Sequence, residues 1–129
     1  DTRAVLVGSV AINSILLLAV LLDYFKVLDF SLPKMLETEP FSFVTLTIAS
    51  IIVGALAPIS KGYRKQMFKS FAFLSSTVVQ VIFANGYVTD YPPLSLMLLV
   101  SSALAVWYFG AAVYVLRCEG LDGDYTTID

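Results

Sequence analysis

Four stretches of this chain carry no charged side chain: Ala4–Leu22, Pro40–Ser60, Ser70–Thr89 and Tyr91–Leu116. Each reaches the ~18 uncharged, mainly apolar residues that an α-helix needs to cross a bilayer. In lipid the backbone must satisfy its own hydrogen bonds, so such windows fold as helices and not as open strands. A helix on the surface of a soluble bundle would show a polar stripe every turn. The first, second and fourth windows show none. Composition agrees: 58% of residues are hydrophobic and 14% are charged, against about 25% charged in ordinary soluble domains. The sequence therefore predicts an all-α, polytopic membrane protein.

The expected organisation is a four-helix transmembrane domain over residues 1–117, with spans near 4–22, 41–59, 67–88 and 94–116 paired into two hairpins. Residues 118–129 read as an acidic, glycine-bearing, flexible tail. The first window is too long for a signal-peptide core and lacks a small-x-small exit, so it reads as a span. The sequence opens on Asp1 and not on Met, so an initiator or a longer leader is expected before it. In the first connector, Phe25, Leu28, Leu32 and Leu36 recur at helical spacing. This fits a short interfacial helix over Tyr24–Leu32 stopped near Pro33, or a plain extension of span one.

Polar residues inside the windows are few, and each calls for an explanation. Asn13 lies near the middle of span one and Gln80 in span three. Lipid offers an amide no hydrogen bond, so both are expected to face other helices, with at least one bonded across. A solute or ion site is the other reading of Asn13. Ser50 and Gly54, four apart in span two, form a line of small residues that lets another helix approach. Gly110 is expected to do the same in span four. Span three is the least apolar, carrying Ser75, Ser76, Thr77 and Gln80, with Lys69 near its start. Lys69 is expected to snorkel to the headgroups.

Half of the chain's basic residues fall in one short stretch, Lys61, Arg64, Lys65 and Lys69. Lying between two spans, it reads as a cytoplasmic loop in which these four, with Arg117, anchor to anionic headgroups. With both termini inside, Arg3, the four loop residues and Arg117 are cytoplasmic, and only Lys26 and Lys34 are outside. Six against two satisfies the positive-inside rule. The setting is read as a bacterial inner (plasma) membrane. A nucleic-acid role is set aside because the basic stretch is short and pinned at the membrane.

Catalytic constellations are missing from the sequence. There is no histidine, so the commonest general base and metal ligand is gone. No window contains a carboxylate for proton or ion coupling. Asp23, Asp29, Glu37 and Glu39 match no calcium loop and read as a solvated surface. Cys118 is single, so no internal disulfide forms; beside Arg117 it is an idle thiol or an acylation site. No cofactor or metal is expected. The outline of four spans and a short basic middle loop is shared by unrelated groups: small multidrug transporters, accessory subunits of membrane enzymes and some phage holins. The transporters rely on a carboxylate in the first span, where this chain has Asn13. The leading expectation is a non-catalytic protein whose partners are lipids and other transmembrane helices, as an accessory subunit or a homo-oligomer. A holin-like pore lined by Ser75, Ser76, Thr77 and Gln80 comes second, and a small transporter third.

Overall fold

A computed structural model describes residues 2–28 and 40–119. Its regular elements are α1 (Thr2–Tyr24), α2 (Pro40–Leu56), a 3-10 turn (Ala57–Ile59), α3 (Tyr63–Gly86) and α4 (Pro92–Glu119). Four segments are long and apolar enough to cross a membrane: Arg3–Tyr24, Phe41–Ile59, Tyr63–Gly86 and Pro92–Cys118. The chain is all-α with four candidate transmembrane helices, the class its charge pattern predicts. The far half of the expected interfacial helix and the tail from residue 120 lie outside the described residues.

The helix ends differ from expectation for local reasons. α1 stops at Tyr24 and neither extends outward nor leads straight into a second helix. Lys26 adopts a left-handed φ of 59°. Its N–H bonds to the Asp23 carbonyl at 3.0 Å, and the Val27 N–H bonds to the Leu22 carbonyl at 2.9 Å. This pair of backward bonds around a left-handed residue is a Schellman stop, here built without glycine. α2 gives way to the 3-10 turn where Pro58 has no N–H to continue the ladder.

The basic stretch is not a loop. α3 begins at Tyr63, directly after Gly62, whose φ of 66° and ψ of −145° suit only glycine. Arg64, Lys65 and Lys69 are therefore helical, and the connection shrinks to Ser60–Gly62. Span three starts about a turn earlier than the sequence reading places it. At the other end, α4 runs on through Arg117 and Cys118 to Glu119, so the first residues assigned to the tail are helical.

α3 is the central helix. It packs against α1, α2 and α4, most extensively against α4. Buried residues make up 56% of its spanning window, against 28%, 28% and 22% for α1, α2 and α4. It is also the least hydropathic of the four. Helices that face lipid must be apolar all round, whereas one enclosed by other helices is free to carry polar groups.

The interior has two apolar clusters. One gathers Leu16, Val20, Phe43, Val79, Phe83 and Leu98, with Phe43 and Phe83 edge to face at 5.5 Å. The other gathers Leu6, Ala57, Ala72, Phe73 and Ala105, with Tyr108 beside Phe73. The outer surface is apolar too, including Ile15, Leu18, Ile52, Met97 and Trp107. On a soluble protein that surface would aggregate. In hydrocarbon it is the lipid contact.

Lipid tails are as apolar as leucine, so burying these helices against one another gains little hydrophobic energy. Close packing and hydrogen bonds must supply the rest. Gly54 shows the first of these. A Cβ placed there would stand 2.5 Å from Val10 Cγ2 and 3.8 Å from Ala72 Cβ. α1 and α2 therefore meet closely at this glycine. Gly110 differs: it is exposed, and an added Cβ would meet nothing within 4 Å. The close approach expected of Gly110 is not made within this chain, because its side of α4 faces outward.

Candidate functional site

A polar layer lies between the two apolar clusters. Asn13 of α1 is fully buried, and its Nδ2 donates to Ser50 Oγ of α2 at 3.0 Å and to Ser76 Oγ of α3 at 2.8 Å. An amide nitrogen has two hydrogens. Each is directed at a different helix, so one side chain ties three helices together. Thr47, one turn from Ser50, is also fully buried and donates to its own helix at Phe43 O, 2.8 Å away. α4 joins by other means. Ser95 Oγ donates to Ala84 O at 2.6 Å. That carbonyl is in the last turn of α3, where helical partners run out.

Gln80 and Gln66 are the exceptions. Both are fully buried on α3, and neither amide has a hydrogen-bond partner within the structure; Asn13 Oδ1 is also unpartnered. The cross-helix bond considered for Gln80 is absent, and of the two amides it is Asn13 that bonds across helices. Burying an unmatched amide costs stability, and replacing it with an apolar group of similar shape relieves that cost. Gln80→Met is therefore expected to raise stability by up to about 1 kcal/mol. Reversible unfolding in bicelles measures it, and a loss of stability would reveal a partner for the amide.

The second polar feature lies at the end of the bundle where α1 and α3 begin. Lys65 is 9% exposed and Lys69 2% exposed. Together with Arg3, Leu6 and Pro58 they line a narrow cleft between α1, α3 and the 3-10 turn, with room for about one water molecule. Lys61, Arg64 and Arg117 are exposed, as anchoring to headgroups requires. Lys65 and Lys69 are not: they turn inward, because the face they share with Ala72, Phe73 and Ser76 is the one α3 presents to its neighbours. Lys69 thus does not snorkel outward along its own helix.

The sequence reading singles out Asn13, Ser50, Gly54 and Gln80, and the fold buries all four. It does not single out Ser76 as a bonding partner, nor Gln66. The signal was present in the spacing of Gln66, Lys69, Ser76 and Gln80, which recur every three to four residues or twice that. Among the described residues no three His, Cys, Asp or Glu side chains gather as metal ligands would. The arrangement ties helices together and presents positive charge at one end. No family model matches the chain, and neither a curated protein nor a solved structure matches it.

Proposed function

We propose that the protein is a non-catalytic packing subunit of the membrane, joined to partner transmembrane helices or to copies of itself. The observation that carries this reading is the Asn13–Ser50–Ser76 junction. Both donors of the Asn13 amide are spent on joining helices, and apolar clusters built on Phe73 and Phe83 close the layer on either side. The exposed stripe of α4, which alternates Ala103 and Gly110 with Trp107 and Tyr114, is open to a further helix that offers complementary notches. Purification from native membranes in mild detergent, followed by mass measurement, tests the reading. A defined assembly heavier than the 14.1 kDa chain is expected. A lone monomer, together with abrupt depolarisation when the chain is expressed by itself, would favour a holin-like pore instead.

The proposed setting is a bacterial inner membrane with both termini cytoplasmic, which rests on the count of basic residues. Cys118 is exposed and is the chain's single cysteine. A membrane-impermeant maleimide is expected to label it in lysed cells and not in intact ones. Labelling in intact cells reverses the orientation.

A further inference from the structure

We propose that the exposed face of α4 binds the same face of a second copy of this chain, with Trp107 of each copy seated between Ala103 and Gly110 of the other. The inference rests on the packing-subunit reading and deepens it by naming the partner and the seam. Val100, Ala103, Trp107, Gly110 and Tyr114 follow one another at alternating steps of three and four, and all five are exposed. That is the spacing of the a and d positions of a heptad, with Val100, Trp107 and Tyr114 at a and the two small residues at d. In knobs-into-holes packing, the hole for an a-position knob is bounded by the partner's a residue, the d residues on either side of it and the residue before it. For Trp107 those two d corners are Ala103 and Gly110. The largest side chain of the seam thus meets the widest hole, and the face is complementary to itself.

Depth separates this reading from plain lipid contact. The spanning segment of α4 is Pro92–Cys118, so Trp107 lies two residues past its middle, about 3 Å at 1.5 Å per residue. The headgroup boundary is about 15 Å away, at half the thickness of the hydrocarbon core. Tryptophan that faces lipid gathers at that boundary, where its N–H finds an acceptor. Tyr114 lies near that level, and the aromatic belt accounts for it. Trp107 does not: its side chain is 75% exposed and its indole N–H has no acceptor within the chain. Lipid tails offer none either. A second helix does, because small residues at d bring its backbone close and each carbonyl keeps a second lone pair.

Symmetry and area fit a pair. Copies of one chain insert the same way round, so two α4 helices meet in parallel about a two-fold axis along the membrane normal, each giving and receiving the same knob. Trp107 is 75% and Tyr114 68% exposed. At 150–250 Å² for an aromatic side chain, each copy offers roughly 200–350 Å² from these two alone. The pair of copies thus reaches about a third to over half of the roughly 1,200 Å² at which specific interfaces begin. Leu96, Val100, Leu104 and Val106, all exposed along the same side of α4, supply the remainder.

The full chain, labelled at Cys118, is reconstituted in phosphatidylcholine liposomes, and energy transfer between copies is followed as lipid is added. Reversible association of two copies is expected. Trp107→Leu and Gly110→Leu, the first removing the knob and the second filling the hole, are each expected to weaken it at least about tenfold. Leu18→Ala, exposed on α1, is expected to change it by less than about twofold. Because both seam residues are exposed in the single chain, folding does not depend on them; a cysteine scan provides a second readout should either variant misfold. In a Cys118→Ser chain, Ala103→Cys and Gly110→Cys are expected to oxidise to a cross-linked dimer at least about fivefold faster than Ile15→Cys or Ile52→Cys, since a disulfide needs facing Cα atoms within about 7 Å. Faster cross-linking at Ile15 or Ile52 would place self-association on another face and overturn the seam. A chain that stays monomeric in liposomes overturns it too. If native membranes still yield a heavier assembly, the packing-subunit reading survives with a different partner; if they do not, both fail.

Discussion

Asn13→Leu is expected to destabilise the bundle by roughly 1–3 kcal/mol, from two lost bonds at about 0.6–1.7 kcal/mol each. The amide donates to Ser50 and to Ser76, so the change loosens α1 from two helices at once. A leucine fills the volume with no donor, and both serine hydroxyls keep a buried polar oxygen beside an apolar side chain. Ser50→Ala and Ser76→Ala are each expected to lose a smaller amount, since Asn13 then retains one bond. In an Asn13→Leu background either serine change should cost much less than it does alone. Reversible unfolding in bicelles measures all of these. Additive losses across the set would show that the three side chains do not act as one junction.

Gly54→Ala is expected to cost about 1–3 kcal/mol, the range for forcing extra volume into a packed interior. The new methyl would stand 2.5 Å from Val10 Cγ2, and no real pair of carbons tolerates that. Valine is stiff at χ1, so the clash cannot be relieved by swinging a long side chain aside. α1 and α2 must part instead, and the separation lengthens the Asn13–Ser50 bond one turn away. Val10→Ala should restore much of the loss in the double variant by removing the opposing methyl. If Gly54→Ala is as stable as the parent, the two helices do not meet here. The corresponding Gly110→Ala change is expected to leave unfolding of the single chain unchanged within about 0.5 kcal/mol, because nothing within the chain stands opposite it.

The charge-free windows made the four helices legible, because lipid forbids charge along a span and the effect is large. Asn13 was legible for the same reason: an amide in hydrocarbon has few options. The partner of that amide was not. Ser50 was noticed for being small, and Ser76 stood among similar hydroxyls, and only the packing of α1, α2 and α3 selects between Ser75, Ser76 and Thr77. Helix rotation decides such things, and span three is too evenly mixed to reveal its rotation from one sequence. The basic stretch misled for a related reason. Positive charge at a membrane surface suggests exposure, yet Lys65 and Lys69 share the turn and face of Gln66 and turn inward. Gly62 was the local clue to where α3 begins, since its backbone geometry starts the helix before the charges.

The enclosed position of α3 bears on the order in which the chain is made. The ribosome delivers α1 and α2 ahead of α3, which emerges with its serines, its glutamines and two inward-turning lysines before α4 exists to cover it. Its most extensive partner is the segment synthesised after it. What is already waiting is the α1–α2 pair, holding Asn13 and Ser50 within reach of each other and a recess at Gly54 that faces Ala72. The first hairpin is thus a template: it offers the newcomer an amide for Ser76 while the other flank of α3 still faces lipid or the insertion machinery. α4 then closes that flank, and the segment least suited to lipid ends up touching it least.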